Sequence, residues 1–297
     1  MPKFHISEVV EESIDAEILL RSFHSHFIDN PHQLGFRGHR SSTWSLTPSL
    51  ARFQQRLKNS NSHLSILDYQ HFLNKFEALF RRNLLLNSDI AAQDLGRLNI
   101  WEYGQHYGLP TPLLDWSDSA YVALFFSLQG EDDTTSNQTE RRALWVLDLS
   151  LLELINGQIR DHIWPHFHNK IKPKQELEGR FPLMEIIRSA DSYNRRLAFQ
   201  QGFFTKHVFY NSFEVWARII AEELPHKYWD TPLMKKYVFI TNHAIRAKLM
   251  RSLDKMNINS RVLFPDIKGS VEHTCNQIEF EKEQKFVEFS GSTEKSH

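Results

Sequence analysis

Gln105-His106-Tyr107-Gly108-Leu109-Pro110-Thr111-Pro112-Leu113-Leu114-Asp115-Trp116 is the densest polar and aromatic cluster in the chain. The stretch from Ile100 to Tyr107, which runs into it, reads as a helix that stops at Gly108, a residue type that commonly ends helices. Thr111 sits in a turn bracketed by Pro110 and Pro112, which gives its hydroxyl a fixed direction. His106 can act as acid, base or donor near neutral pH. Asp115, between Leu114 and Trp116, loses hydration unless a cation pairs with it, and Arg37 is the candidate. The alternative is that Asp115 and Ser117 cap the next helix, a common duty of both residue types. That helix covers residues 119–128, which are apolar almost throughout and so buried.

Upstream, Gly35-Phe36-Arg37-Gly38 reads as a strand with glycine on both sides of one arginine. Such an arginine either lies exposed on a sheet edge or meets carboxylates or phosphates, which its planar fork suits. Gly38 leaves room for a ligand to approach the backbone. Helical spacing predicts further helices over 13–27, 64–86 and 242–256, and another after Thr47-Pro48-Ser49. Strands are predicted at Ala143–Leu149, Tyr237–Thr241 and Arg261–Phe264, with a polar loop over 130–142. Residues 150–192 read as helical fragments broken at Pro165, Pro173 and Pro182. The expected class is α+β: a small mixed or antiparallel sheet with a helical majority around it. One domain over 1–280 and a polar tail over 281–297 are expected, since no repeat or linker marks a boundary.

Bulk properties narrow the function. Twenty-two Phe and seven Trp in 297 residues can fill a sizeable core. A formal net charge of −1 supplies no global basic field for nucleic acid. A single cysteine, Cys275, rules out an intramolecular disulfide framework and a thiolate metal cage. Neither a leader nor a membrane span is evident at the sequence level, so a cytoplasmic location is expected. His162, His166 and His168 lack a spaced carboxylate, and Pro165 interrupts their helix, so no metal is expected. Gly-rich phosphate loops, a Gly-x-Ser-x-Gly elbow and a Cys nucleophile with a partner are absent. Asn194-Arg195-Arg196 followed by Gln200-Gln201-Gly202-Phe203-Phe204-Thr205 is a further candidate, since a Gln before a Gly-aromatic turn can present an amide to a ligand, or simply form a surface turn.

Three stretches together resemble the FRG-domain proteins, named for a Phe-Arg-Gly motif. They are Phe36-Arg37-Gly38-His39-Arg40 with Trp44, Leu46, Pro48, Leu50 and Arg52; Gln105 through Trp116 to Ala123-Leu124-Phe125-Phe126; and Arg196, Gln200 and Gly202-Phe203-Phe204 with Leu263-Phe264-Pro265-Asp266. The resemblance spans roughly residues 20–280. The chain departs from it at Pro112, where a basic residue is usual, at Ala120, where Pro is usual, and at Lys268, where an acidic residue is usual.

The layout is similar to that of the ADP-ribosyltransferase superfamily, which implies NAD as substrate. On that resemblance Arg37 binds the NAD pyrophosphate or ribose, Thr111 with His106 orients the nicotinamide ribose, and Gln200 bonds a ribose hydroxyl or positions the nucleophile. Gly38, Gln105, Tyr107, Asp115 and Trp116 complete the cofactor site, with Tyr107 or Trp116 as a stacking surface. The implied activity is an NAD-dependent ADP-ribosyltransferase, a toxin or antiphage effector acting on RNA, DNA or protein, with an antitoxin or regulatory partner. A non-catalytic nucleotide-binding module and an NAD glycohydrolase are the alternatives.

Overall fold

A computed structural model describes residues 9–57, 66–87, 99–130, 139–163, 183–188, 195–206, 212–223 and 232–293. Seven strands form one sheet: β1 (Val9–Ser13), β2 (Leu34–His39), β3 (Leu113–Ser117), β4 (Glu140–Asp148), β5 (Glu185–Ile187), β6 (Gly202–Lys206) and β7 (Met234–Thr241). Their spatial order is β1-β7-β4-β2-β3-β6-β5. The β1–β7 pair is parallel and the others are antiparallel, so the sheet is mixed. Eleven helices surround it among the described residues, and the fold is α+β with a helical majority.

The central strand β4 explains the layering. Ala143, Trp145 and Leu147 face one side while Leu144 and Val146 face the other, and all five are buried. A strand covered on both faces needs a continuous apolar run, which Ala-Leu-Trp-Val-Leu supplies. On the first face lie α6 (Leu149–Gln158) and α8 (Phe213–Glu223), around Trp116, Phe203, Phe213 and Trp216. On the second lie α1 (Ala16–Phe23), α5 (Ala120–Leu128), α9 (His243–Lys255) and α11 (Ile267–Thr293), around Phe36, Tyr237 and Phe239. A third cluster joins α2 (Ser49–Leu57), α3 (Ile66–Asn87) and α4 (Ile100–His106) to Leu113 on β3 and Phe204 on β6.

Between the second and third clusters the sheet opens. β2 pairs with β4 at six registered positions, yet it meets β3 only at Phe36 and Ser117. Beyond that bridge the two strands part, and the candidate site lies in the gap.

Several elements differ from the sequence reading. Arg261–Phe264, expected as a strand, is mostly the short helix α10 (Ser260–Leu263), with Asn259 accepting from the Val262 N–H. Strands β1, β3, β5 and β6 are additions. Residues 281–293, expected as tail, continue helix α11. Much of 150–192 lies outside the described residues, though Leu149–Gln158 is one helix that continues into a π-helical turn.

Candidate functional site

Strand β2 carries the centre of the site. Its period of two places Phe36 and Gly38 on one face and Arg37 and His39 on the other. A Cβ on Gly38 would lie 1.9 Å from the Ala123 carbonyl oxygen and 2.5 Å from the Ser127 nitrogen. The expected space for a ligand at Gly38 is therefore filled by the backbone of helix α5. The glycine sets a close strand–helix contact instead.

The Arg37 guanidinium spans the parted strands. Its Nε donates to His39 Nε2 at 3.0 Å, and its Nη1 donates to the Asp115 carbonyl at 2.5 Å. The Asp115 carboxylate lies 3.4 Å from the same Nη1. An arginine thus takes over a position where the next strand-to-strand hydrogen bonds would form. Burial, then the Arg37 charge, push the His39 pKa down from 6.5 to about 3. His39 is accordingly neutral at physiological pH, as an acceptor from a guanidinium must be. With Nε2 accepting, the ring proton sits on Nδ1, 3.2 Å from Trp145 Nε1.

A chain of side chains holds Asp115 from behind. Thr111 is fully buried, and its hydroxyl donates to Gln105 Oε1. Gln105 Nε2 donates in turn to Asp115 Oδ1 at 2.6 Å. The Thr111 backbone is also fixed, since its N–H donates to Ser49 Oγ at 2.9 Å and its carbonyl accepts from Leu50 N at 3.0 Å. Thr111 therefore lies behind the site and does not present its hydroxyl to the cleft.

Asp115 does not cap α5. It lies in β3 with its side chain 59% exposed, alternating with buried Leu114 and Trp116. The cap is Ser119, which accepts from the Val122 N–H. Ser117 Oγ accepts from Ser119 N and donates to the Gln200 carbonyl, which ties β3 to the segment after α7 (Arg195–Phe199). Gln200 borders the cleft while its Nε2 donates to the Leu263 carbonyl at 3.0 Å. The two expected stacking residues are placed otherwise. Tyr107 is 69% exposed beside Tyr103 and His106 and does not line the cleft. Trp116 borders it but is core, 3% exposed, with its Nε1 donating to Thr205 Oγ1 at 2.9 Å.

The cleft holds about 1020 Å³. Arg37, Arg40, Arg52 and Arg196 line it, against the carboxylates of Glu102 and Asp115. His106 and Gln105 stand along the same wall. Burial lowers the pKa of Arg196, whose guanidinium lies 4.2 Å from the Phe264 ring centroid. Burial, then the neighbouring charges of Arg37 and Arg56, lower that of Arg52. Positive charge is thus gathered here although the chain as a whole is near neutral. Residue-by-residue reading singled out Arg37 without His39, Arg52 or Glu102. His39 was accessible through the two-residue period of the strand.

Residues 32–136 match the FRG domain. This chain carries an FRG domain. No curated protein and no solved structure matches it significantly. The FRG domain supplies β2, α2–α5 and β3, and with them Arg37, Arg40, Arg52, Glu102, Gln105 and Asp115. The far wall of the cleft, with Arg196, Leu197, Gln200 and Phe204, comes from sequence beyond it. Among the described residues no cluster of three His, Cys, Asp or Glu could hold a metal ion. His166, His168 and the His162 side chain lie outside them. No helix among the described residues is long and apolar enough to cross a membrane.

Proposed function

We propose that the FRG-domain cleft binds NAD and that the protein transfers ADP-ribose from it to a macromolecular acceptor. The observation that carries this reading is the gathering of four arginines on a cleft of about 1020 Å³, beside a carboxylate held at both oxygens. That size suits a dinucleotide, and guanidinium forks suit its two phosphates. The resemblance to the ADP-ribosyltransferases supports the choice of NAD among dinucleotides.

In the reaction the bond between ribose C1′ and the nicotinamide nitrogen breaks, and its electron pair leaves with neutral nicotinamide. An acceptor N–H or O–H attacks C1′ and gives up its proton. Asp115 and Glu102 are the negative groups that stabilise the oxocarbenium-like sugar, and oriented charge of this kind is effective because it needs no reorganisation. His106, exposed at the cleft wall, takes the acceptor's proton. Thr111 and Gln105 act through Asp115. The acceptor is RNA, DNA or protein, and a toxin or defence effector with a neutralising partner is the setting that this chemistry suits.

A nucleotide-binding module without turnover is the second reading. It is favoured by one observation: Arg37 already has partners in His39 and Asp115. Incubation of the purified protein with labelled NAD and a cell lysate separates the two. Label on a macromolecule with the unmutated protein, and none with Arg37→Ala, is the expected result. Nuclease or protease digestion then identifies the acceptor. Nicotinamide released without transferred label means a glycohydrolase. A folded protein that binds NAD without consuming it leaves the binding module.

A further inference from the structure

The segment from Arg40 to Arg52, between β2 and the first turns of α2, forms one wall of the cleft. Two features set its cations apart from Arg37. Three hydrogen-bonding contacts hold the Arg37 fork to His39 and Asp115, and its side chain is 21% exposed. Among the described residues the Arg52 guanidinium donates only to the Thr47 carbonyl, and Arg40 lies 5.5 Å from the ring centroid of Trp44. Neither meets a carboxylate among the described residues. Like charges from Arg37 and Arg56 stand near Arg52, a placement that an anionic ligand relieves. The same wall carries the hydroxyls of Thr43, Ser45 and Thr47. Trp44, 48% exposed, offers an aromatic face beside them.

Building on the nucleotide reading above, we propose that Arg40 and Arg52, not Arg37, receive the diphosphate of the ligand, and that Arg37 is a positioning residue for Asp115. Arg37 holds the parted strands β2 and β3 at a fixed spacing and presents the carboxylate. Lysine cannot replace it, because an ammonium cannot reach His39 and the Asp115 backbone with one fork. At position 52 charge matters more than the fork, so lysine serves in part. Trp44 lies where a base or ribose next to the diphosphate would rest.

Calorimetric titration of the full chain with pyrophosphate, ADP and NAD tests the assignment, alongside nicotinamide release. Thermal unfolding of each variant checks that it is folded. The expected result is that Arg52→Gln weakens all three ligands about tenfold or more, the scale of one lost charge-assisted contact. Arg52→Lys recovers part of that loss. Arg37→Lys leaves pyrophosphate and ADP affinity within about threefold, a change below 1 kcal/mol, while nicotinamide release falls through kcat with KM little changed. Pyrophosphate binding lost in Arg37→Lys and kept in Arg52→Gln overturns the assignment. Pyrophosphate and ADP bound normally, with NAD neither bound nor consumed, keeps the diphosphate subsite and overturns the NAD reading. A folded unmutated protein that takes up none of the three overturns both.

Discussion

His39 is the residue whose protonation the site cannot accommodate. The buried ring accepts from Arg37, so a proton on that nitrogen would place two cations in contact. The folded-state pKa is depressed to about 3 from an ordinary 6.5. Unfolded chains therefore bind a proton here that the folded chain refuses. The stabilisation is complete above pH 6.5 and is lost as pH falls toward 3, with a slope of at most about 1.4 kcal/mol per pH unit. Urea unfolding at pH 7.5, 6.0 and 5.0 should show a steeper acid loss for the unmutated protein than for His39→Gln. Equal slopes would remove His39 from the account. At this scale Arg37 and Asp115 were legible as a pair, because a strand arginine and a carboxylate between apolar neighbours both need a partner. Thr111 was legible as fixed but not as buried. Its turn gave the direction of the hydroxyl, whereas the Gln105 amide that receives it depends on how α4 packs against β3.

The elements around the site were read unevenly. Helices α3, α4, α5 and α9 show a sustained apolar face or a clear stop, and their positions follow from spacing alone. Strand β3 was hidden because Leu-Leu-Asp-Trp-Ser is short and lies between a proline turn and a run of Ser and Asp that imitates helix capping. Four residues of α10 offered too little periodicity to separate helix from strand. The capping question has a direct test. Ser119→Ala removes the acceptor for the Val122 N–H and should cost about 0.5–2 kcal/mol of unfolding free energy. Asp115→Asn keeps an Oδ1 acceptor for Gln105 Nε2 and loses only an ion pair whose carboxylate is largely exposed, so it should cost less, under about 1 kcal/mol. Denaturant titration of both variants gives the comparison, and the reverse order would return Asp115 to a capping role.

The molecule as a whole is larger than its FRG match. Residues 32–136 contain β2 and β3, which share only one bridge, while β4 and β6 lie beyond position 136. Their long partnerships, six registered pairs with β4 and five with β6, leave the sheet dependent on the later sequence. A fragment of residues 32–136 should therefore show no cooperative urea transition by circular dichroism, in contrast to the full chain. A cooperative fragment would mean that the two parting strands hold together without their outer neighbours. Long-range order of this kind was not readable from local pattern, since β4 joins β2 across more than a hundred residues. On the proposed function the gap between β2 and β3 is a dinucleotide site. A crystal structure of the full chain with a non-hydrolysable carbocyclic NAD analogue decides this. The expected result is the diphosphate against Arg40 and Arg52 with the ribose analogue near Asp115. Analogue bound outside the cleft, with Arg40, Arg52 and Asp115 untouched, would contradict it.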